Sequence, residues 1–140
     1  MIVPASDRLP EEATVLKWVQ CIRRRPELTV VEFRRAWVGY GEEVVGLAAE
    51  IGAVRVEVSA ALAVEANAAW QERRGSAAPF DGLAEIHFSG SAPEFFRALE
   101  RLPARTSRLV ALQEEFVDVA HSCFFLASQD VEASFELGEG

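Results

Sequence analysis

Basic residues are scarce in this chain of 140 residues. Fourteen lysines and arginines stand against 22 aspartates and glutamates, which gives a formal net charge of -8. Binding to a phosphate backbone depends on clustered cations that release counterions, so this balance argues against a nucleic-acid partner. We interpret the arginine runs at 23–25, 34–35 and 73–74 as solvated rims of the surface.

Long apolar runs are also missing. No stretch approaches the roughly 20 apolar residues of a membrane span, and the first residues lack the order of charge and apolar run that a signal peptide has. We therefore predict a cytoplasmic protein with no membrane partner. Half of the residues are hydrophobic, which is enough for the core of one domain of this length.

Cysteine and histidine occur only twice each. Cys21 and Cys123 each lie in an apolar, strand-like segment, so we interpret both as reduced and buried. A zinc site needs about four ligands at a recognisable spacing, which these residues do not have. We predict no metal site.

The chain divides into three parts. Residues 1–12 are polar and contain two prolines, and are predicted to form a flexible N-terminal arm. Residues 13–128 are predicted to form one domain, and residues 129–140 an acidic C-terminal tail.

A long amphipathic helix is predicted after Thr29. Thr29 and Glu32 have the spacing of a capping box, in which both side chains satisfy free N–H groups at a helix start. Apolar residues then recur at spacings of four and three along one face, and Gly52 is placed to end the helix. The residues of this stripe are Phe33, Trp37, Tyr40, Val44, Leu47 and Ile51.

Four strands are predicted, at residues 14–24, 53–62, 79–90 and 116–126. A helical turn and loop are expected over 64–78, a helix from a cap at Ser91 to Pro103, and a short helix over 107–115. The order β-α-β-β-α-(α)-β is that of the ferredoxin-like βαββαβ fold. The predicted class is α+β, with the helices on one face of a four-stranded antiparallel sheet.

The third strand has two different sides. By period-2 alternation, one side is apolar and consists of Phe80, Gly82, Ala84, Ile86 and Phe88. The other side carries Asp81, Leu83, Glu85 and His87. The fourth strand is apolar on both sides, so the face without helices needs a cover. Two sheets packed face to face would supply it, which predicts a homodimer.

Several stretches resemble the EthD-like family of the dimeric α+β barrel superfamily. They are RPELT at 25–29 followed by EFRRAW at 32–37, then FDGLAEIHF at 80–88 and EFVD at 115–118. The most specific of these is the Asp-Gly-x-Ala-Glu strand after the long helix, and the resemblance spans about residues 14–127. It implies a homodimeric ferredoxin-like barrel that binds a small hydrophobic or aromatic ligand between sheet and helices, with no metal or organic cofactor.

Two positions depart from the family pattern. Many members have a histidine one turn beyond the helix tryptophan, where this chain has Gly41, and an aromatic residue on the third strand where it has His87. The imidazole of His87 on the strand is therefore a candidate substitute for the imidazole missing from the helix.

The candidate catalytic residues are His87, His121 and Glu85. Moving a proton at a carbon beside a carbonyl suits an imidazole near neutral pH. Glu85 lies two residues before His87 on the same strand face, where it can orient the ring. A purely structural role fits Glu85 and Asp81 as well, for example in ion pairs with Arg55. His121 lies in the predicted fourth strand, whose two apolar faces do not say which way it points.

The candidate substrate-binding residues are Trp37, Tyr40, Asp81 and Trp18. Trp37 and Tyr40 lie on the buried helix stripe, where aromatic side chains are more often core than ligand wall. In the fold that the resemblance implies, however, this helix roofs a pocket.

Three functions remain after the motifs are weighed. The first is a cofactor-independent enzyme of secondary metabolism or aromatic catabolism, a cyclase, dehydratase or decarboxylase acting on a polyketide-like or aromatic substrate by acid/base chemistry. The second is a non-catalytic protein that holds a hydrophobic intermediate. The third is a haem- or oxygen-handling relative with His121 as axial ligand. A phosphate loop, a nucleophile elbow and a dinucleotide fingerprint are absent from the sequence.

Overall fold

The computed structural model describes residues 15–62, 64–130, 133 and 135. The predicted N-terminal arm and most of the predicted acidic tail lie outside these residues. The helices and strands follow each other as β1 (Val15–Ile22), α1 (Val30–Glu50), β2 (Arg55–Ala60), α2 (Glu65–Arg74), β3 (Gly82–Ser89), α3 (Ala92–Glu100), α4 (Pro103–Phe116) and β4 (Cys123–Ser128).

The four strands form one sheet in the order β2-β3-β1-β4. Each neighbouring pair is antiparallel, so the predicted α+β class and ferredoxin-like βαββαβ arrangement are confirmed. Side chains of α1, α3 and α4 form the core with one face of the sheet. Within the described residues, no helix is both long and apolar enough to cross a membrane.

Helix α1 begins as the sequence predicts. The Thr29 backbone N–H donates to Glu32 Oε1 at 3.0 Å, and the Glu32 N–H donates to Thr29 Oγ1 at 3.1 Å, which completes the capping box. The bond from the Thr29 N–H stabilises the carboxylate and thereby lowers the pKa of Glu32. At the other end Ile51 is the C-cap, and Gly52 follows with a φ of 73°, a left-handed conformation that suits glycine.

The predicted stripe of α1 is buried in the core. Trp37 is stacked between Phe33 and Tyr40, with ring centroids 5.5 Å apart in both pairs. Gly82 of β3 makes room for this stack, because a Cβ atom at that position would stand 2.7 Å from the Trp37 ring. The Asp-Gly-x-Ala-Glu strand therefore needs glycine at its second position for packing.

Two helices are longer than predicted. Residues expected to form a turn and loop contain α2, ten residues that end at the left-handed cap Gly75 and include no buried side chain. Helix α4 covers fourteen residues and starts at Pro103. Proline is well tolerated in the first turn of a helix, where its missing N–H has no partner to lose, so Pro103 begins a helix as well as following one.

The predicted bounds of the fourth strand are wrong. Phe116 ends α4 and is buried, Val119–His121 is a 3₁₀ turn, and β4 begins only at Cys123. The connection is held by the Asp118 N–H, which donates to the carbonyl of Arg23 at 2.9 Å, and by the bridge between Arg24 and Val117. Apolar residues on both faces gave no period from which to place the strand start.

Candidate functional site

The face of the sheet opposite the helices carries Glu85 and His87, two of the three candidate catalytic residues. We call it the open face. The register places on it Lys17, Val19 and Cys21 of β1, Arg55 and Glu57 of β2, Leu83, Glu85 and His87 of β3, and Cys123 and Phe125 of β4. Ala84, Ile86 and Phe88 are buried against the helices, as the alternation of β3 predicts.

His87 and Glu85 are in contact on this face. Nε2 of His87 lies 3.3 Å from Oε2 of Glu85, and only 10% of the His87 side chain is exposed. An ionised carboxylate can only accept a hydrogen bond, so this contact selects the tautomer that carries its proton on Nε2. Among the described residues, no hydrogen bond reaches Nδ1 of His87, and this basic nitrogen remains available.

Two cationic side chains flank His87. Lys17 of β1 and Arg55 of β2 are its direct cross-strand partners. Nη2 of Arg55 lies 2.6 Å from Oε1 of Glu57. Lys17 makes no ion pair within the described part of the chain. The register between β1 and β3, which brings Lys17 beside the histidine, cannot be read from the sequence pattern.

These residues line a pocket of about 430 Å³, which we call the His87 pocket. Its wall consists of Lys17, Arg55, Glu57, Glu85 and His87, with Val15, Val54, Gln129 and Ala133 around them. A site with a lysine that has no ion pair among the described residues, a charge-paired arginine and an oriented imidazole can bind an anionic group and exchange a proton beside it.

Asp81 is used in the fold. It accepts a hydrogen bond from the Arg24 N–H at 2.9 Å and lies 3.4 Å from the Arg24 guanidinium Nε. Its ion-pair partner is therefore Arg24, where Arg55 was expected, and it does not line the His87 pocket. The structural interpretation of Asp81 is the one that these contacts support.

His121 lies away from the predicted site. It is part of the 3₁₀ turn before β4, its side chain is 71% exposed, and its Nδ1 lies 2.8 Å from Oδ2 of Asp118. It is not among the residues that line the His87 pocket. The high exposure of this imidazole does not favour a haem axial ligand, whose surroundings exclude solvent.

Tyr40 is a core residue, and Trp18 is partly buried and packs against the core. Tyr40 is fully buried, where its hydroxyl donates to Gln20 Oε1 and accepts from Gln113 Nε2 at 2.8 Å. Trp18 packs edge-on against Phe95, with ring centroids 5.7 Å apart. Neither side chain contributes to the wall of the His87 pocket.

Tyr40 is the only tyrosine in the chain, so its titration can be followed directly. Burial raises the pKa of Tyr40 from its ordinary value of 10 to about 12, against the opposing effect of its two glutamine partners. Because the folded protein holds this proton more tightly than the unfolded chain does, its contribution to stability is complete below pH 10 and is lost as the pH rises through about 12. We expect tyrosinate absorbance to appear near pH 12 in the folded protein and near 10 in denaturant; equal midpoints would contradict the buried network.

Trp37 lines a second, apolar cleft between α1 and β2. The cleft measures about 530 Å³, and its wall consists of Trp37, Val38, Gly41, Glu42, Val45, Val58 and Ala60. A Cβ atom on Gly41 would stand 3.2 Å from Cγ1 of Val58, so glycine lets α1 approach β2 closely here. Val58 and Ala60 face the helices. The apolar cleft and the His87 pocket therefore lie on opposite faces of the sheet.

Comparison with known proteins leaves the family undecided. The chain matches no protein-family model, and a search of the curated proteins likewise finds no match.

Within the described residues, no group of three or more His, Cys, Asp or Glu side chains is arranged to hold a metal ion.

Proposed function

We propose that this chain is a cofactor-independent enzyme that moves a proton beside the carbonyl of an aromatic or polyketide-like carboxylic acid. The observation that carries this proposal is the contact between His87 and Glu85 in a pocket flanked by Lys17 and Arg55. The resemblance to the EthD-like family supports it, since relatives there act on such substrates without cofactors.

His87 is the general base in this scheme. Its Nδ1 takes the proton from the carbon beside the substrate carbonyl, while Glu85 holds the Nε2–H and stabilises the imidazolium that forms. The electron pair left on carbon moves onto the carbonyl oxygen as an enolate. In a cyclisation the enolate carbon attacks a second carbonyl of the substrate, and the imidazolium protonates the alkoxide that forms. In a dehydration the enolate expels a β-hydroxyl group, which takes the imidazolium proton and leaves as water. In a decarboxylation the loss of CO₂ from a β-keto acid forms the enolate directly, and the imidazolium gives its proton to the carbon.

Lys17 and Arg55 have separate roles in this proposal. Lys17, without an ion pair among the described residues, is placed to stabilise the enolate oxygen beside the imidazole. Arg55 already has a carboxylate partner in Glu57, and its planar guanidinium can also bind the substrate carboxylate. The substrate is therefore expected to be an acid.

A homodimer is part of the same proposal. The open face exposes 38% of Leu83 and 47% of Phe125, and a second copy placed sheet to sheet would cover these residues and enclose the His87 pocket. Exclusion of water strengthens the electrostatic interactions inside an active site. We further propose that the protein works in the cytoplasm.

Deuterium exchange tests the function without the natural substrate. The probe is 3-benzoylpropionate, which has an aromatic ring, a ketone with exchangeable α-hydrogens and a carboxylate. In D₂O at neutral pH, we expect the protein to accelerate loss of the α-hydrogen signal in the proton NMR spectrum above the rate in buffer. An exchange rate equal to that of buffer, with the probe above its binding constant, would contradict acid/base catalysis at this site.

The apolar cleft favours a second candidate, a non-catalytic protein that holds a hydrophobic intermediate. Its wall is almost entirely apolar, and Trp37 offers a ring against which an aromatic ligand can pack. Binding of uncharged naphthalene, detected by a change in tryptophan fluorescence, together with no catalysed exchange of the keto acid would favour this function over the first.

A further inference from the structure

The two cysteines of the chain are neighbours in the sheet. Cys21 of β1 and Cys123 of β4 are direct cross-strand partners, and both are free thiols on the open face. Cys21 is partly buried, whereas Cys123 is exposed, which differs from the burial that the sequence suggests for both. The two cysteines are far apart in the sequence, and the register of β1 and β4 brings them together.

The hydrogen-bond ladder fixes the geometry of this pair. The Gln129 N–H donates to the carbonyl of Val15 at 3.2 Å, and these two residues continue the register that pairs Cys21 with Cys123. In an antiparallel ladder, hydrogen-bonded and non-hydrogen-bonded pairs alternate. Val15 and Gln129 form a hydrogen-bonded pair, and every second pair along the ladder is of the same kind. Cys21 is six residues from Val15, so its pair with Cys123 is also hydrogen-bonded.

A disulfide is possible at such a pair but not relaxed. The Cα atoms of hydrogen-bonded pairs are about 5.5 Å apart, inside the range of roughly 4.4–6.8 Å that disulfides span. Their Cβ atoms are also about 5.5 Å apart, whereas a disulfide needs about 3.5–4.5 Å. The two strands must draw together locally to close the bond, and the resulting strain makes the bond easy to reduce.

We propose that Cys21 and Cys123 are a redox modification site, at which a labile, reversible disulfide links β1 to the edge strand β4. Strained or exposed disulfides have more oxidising potentials and act as transient bonds, in contrast to structural ones. Disulfides in reducing compartments are of this transient kind. The proposal does not depend on the proposed enzymatic function, and it applies to the chain whose open face is uncovered, since the proposed dimer would bury Cys123.

The local environment sets the order of the two reactions. Partial burial first, and then the charges of Cys123 and Glu85, raise the pKa of Cys21, which disfavours its thiolate. Exposed Cys123 is therefore expected to react first with an oxidant. Cys21 lies on the same face as Glu85, whose cross-strand partner Val19 is two residues away on β1, so the cysteine pair and the His87 pocket share the open face.

Glutathione disulfide is the oxidant class that balances the reaction. The Cys123 thiolate attacks one sulfur of glutathione disulfide, which forms a mixed disulfide and releases one glutathione. The Cys21 thiolate then attacks the Cys123 sulfur and displaces the second glutathione. In total two protein thiols lose two electrons and two protons, and one glutathione disulfide becomes two glutathione thiols.

The test uses the full chain, reduced and native, in glutathione buffers of increasing oxidised fraction. After free thiols are blocked by alkylation, mass spectrometry should show a monomeric chain that has lost two hydrogen atoms, with the peptides of Cys21 and Cys123 joined. Excess reduced glutathione should restore both thiols. Persistent glutathionylation of Cys123, a disulfide between two chains, or two unreacted thiols would each overturn the proposal.

Single variants provide matched controls. Cys21→Ser should retain glutathione on Cys123 because the resolving thiol is gone, and Cys123→Ser should react more slowly because Cys21 is partly buried. If Cys21→Ser and the original chain accumulate the same amount of mixed disulfide, closure between the two cysteines does not occur. The measurement on the original chain decides the proposal even if either variant folds poorly.

Discussion

His87→Gln is expected to lower the protein-catalysed exchange of 3-benzoylpropionate by about 10²–10⁴-fold, the usual contribution of a general base. The glutamine amide has a size similar to imidazole and can still hydrogen-bond, but it cannot accept a proton near neutral pH. Binding of the probe should change less than the rate, because Lys17 and Arg55 remain in the His87 pocket. The measurement is the initial exchange rate at saturating probe, followed by proton NMR.

His121→Gln is the matched control. It removes the other histidine of the chain, which is exposed and does not line the His87 pocket, so it should exchange the probe at the original rate. Both variants should keep the circular dichroism spectrum of the original protein. A folded His87→Gln protein with unchanged exchange would exclude His87 as the base, whereas equal losses in both variants would point to a general effect of histidine removal.

Phe95→Ala is expected to lower the free energy of unfolding by about 3–5 kcal/mol, the range for deleting a buried phenylalanine ring. Phe95 is 1% exposed and makes ring contacts with Trp18 of β1 and Phe88 of β3. Removing the ring leaves a cavity between α3 and two central strands that the backbone cannot close. A thermal melt should show a midpoint lower by roughly 10–20 °C in a domain of this size.

Phe96→Ala is the control on the same helix. Phe96 is 50% exposed, and its ring centroid is 5.8 Å from that of Phe95. Removal of its ring should therefore lower the free energy of unfolding by less than about 1 kcal/mol. Urea unfolding of both variants gives the comparison, with equal slopes as evidence that each still unfolds in two states. A Phe95→Ala protein no less stable than Phe96→Ala would show that α3 does not pack on the sheet as described.

Local patterns in the sequence were enough for the elements whose residues alternate cleanly. The capping box at Thr29 and Glu32 and the buried stripe of α1 are present as predicted. The alternation of β3 also placed Glu85 and His87 on one face and Ile86 on the other. In these segments each side chain's burial follows from the helical or strand period alone, because one face is apolar and the other is not.

Which residues meet in the His87 pocket depends on the register between strands, and the alternation of residues along a single strand does not determine that register. Lys17, Arg55 and His87 become neighbours through the register of three strands, and a register is determined by how whole strands pack in three dimensions. His121 shows the converse problem. Its surroundings are apolar on both sides in sequence, so nothing marked the 3₁₀ turn that keeps it out of β4. Tyr40 lies in the core cluster and Trp18 packs against it, and period alone does not distinguish an aromatic residue that packs there from one that lines a ligand pocket.

Helix α2, between β2 and β3, is a position at which the domain should tolerate deletions and insertions. Because α2 buries no side chain, deleting it removes little apolar contact. The entropy of closing a connection changes only slowly with its length, by about 0.6 kcal/mol for each doubling. Replacement of α2 by a short polar turn, insertion of another sequence, or new chain termini at this point should each leave the sheet able to assemble. Folding of the sheet therefore places little constraint on the sequence of α2.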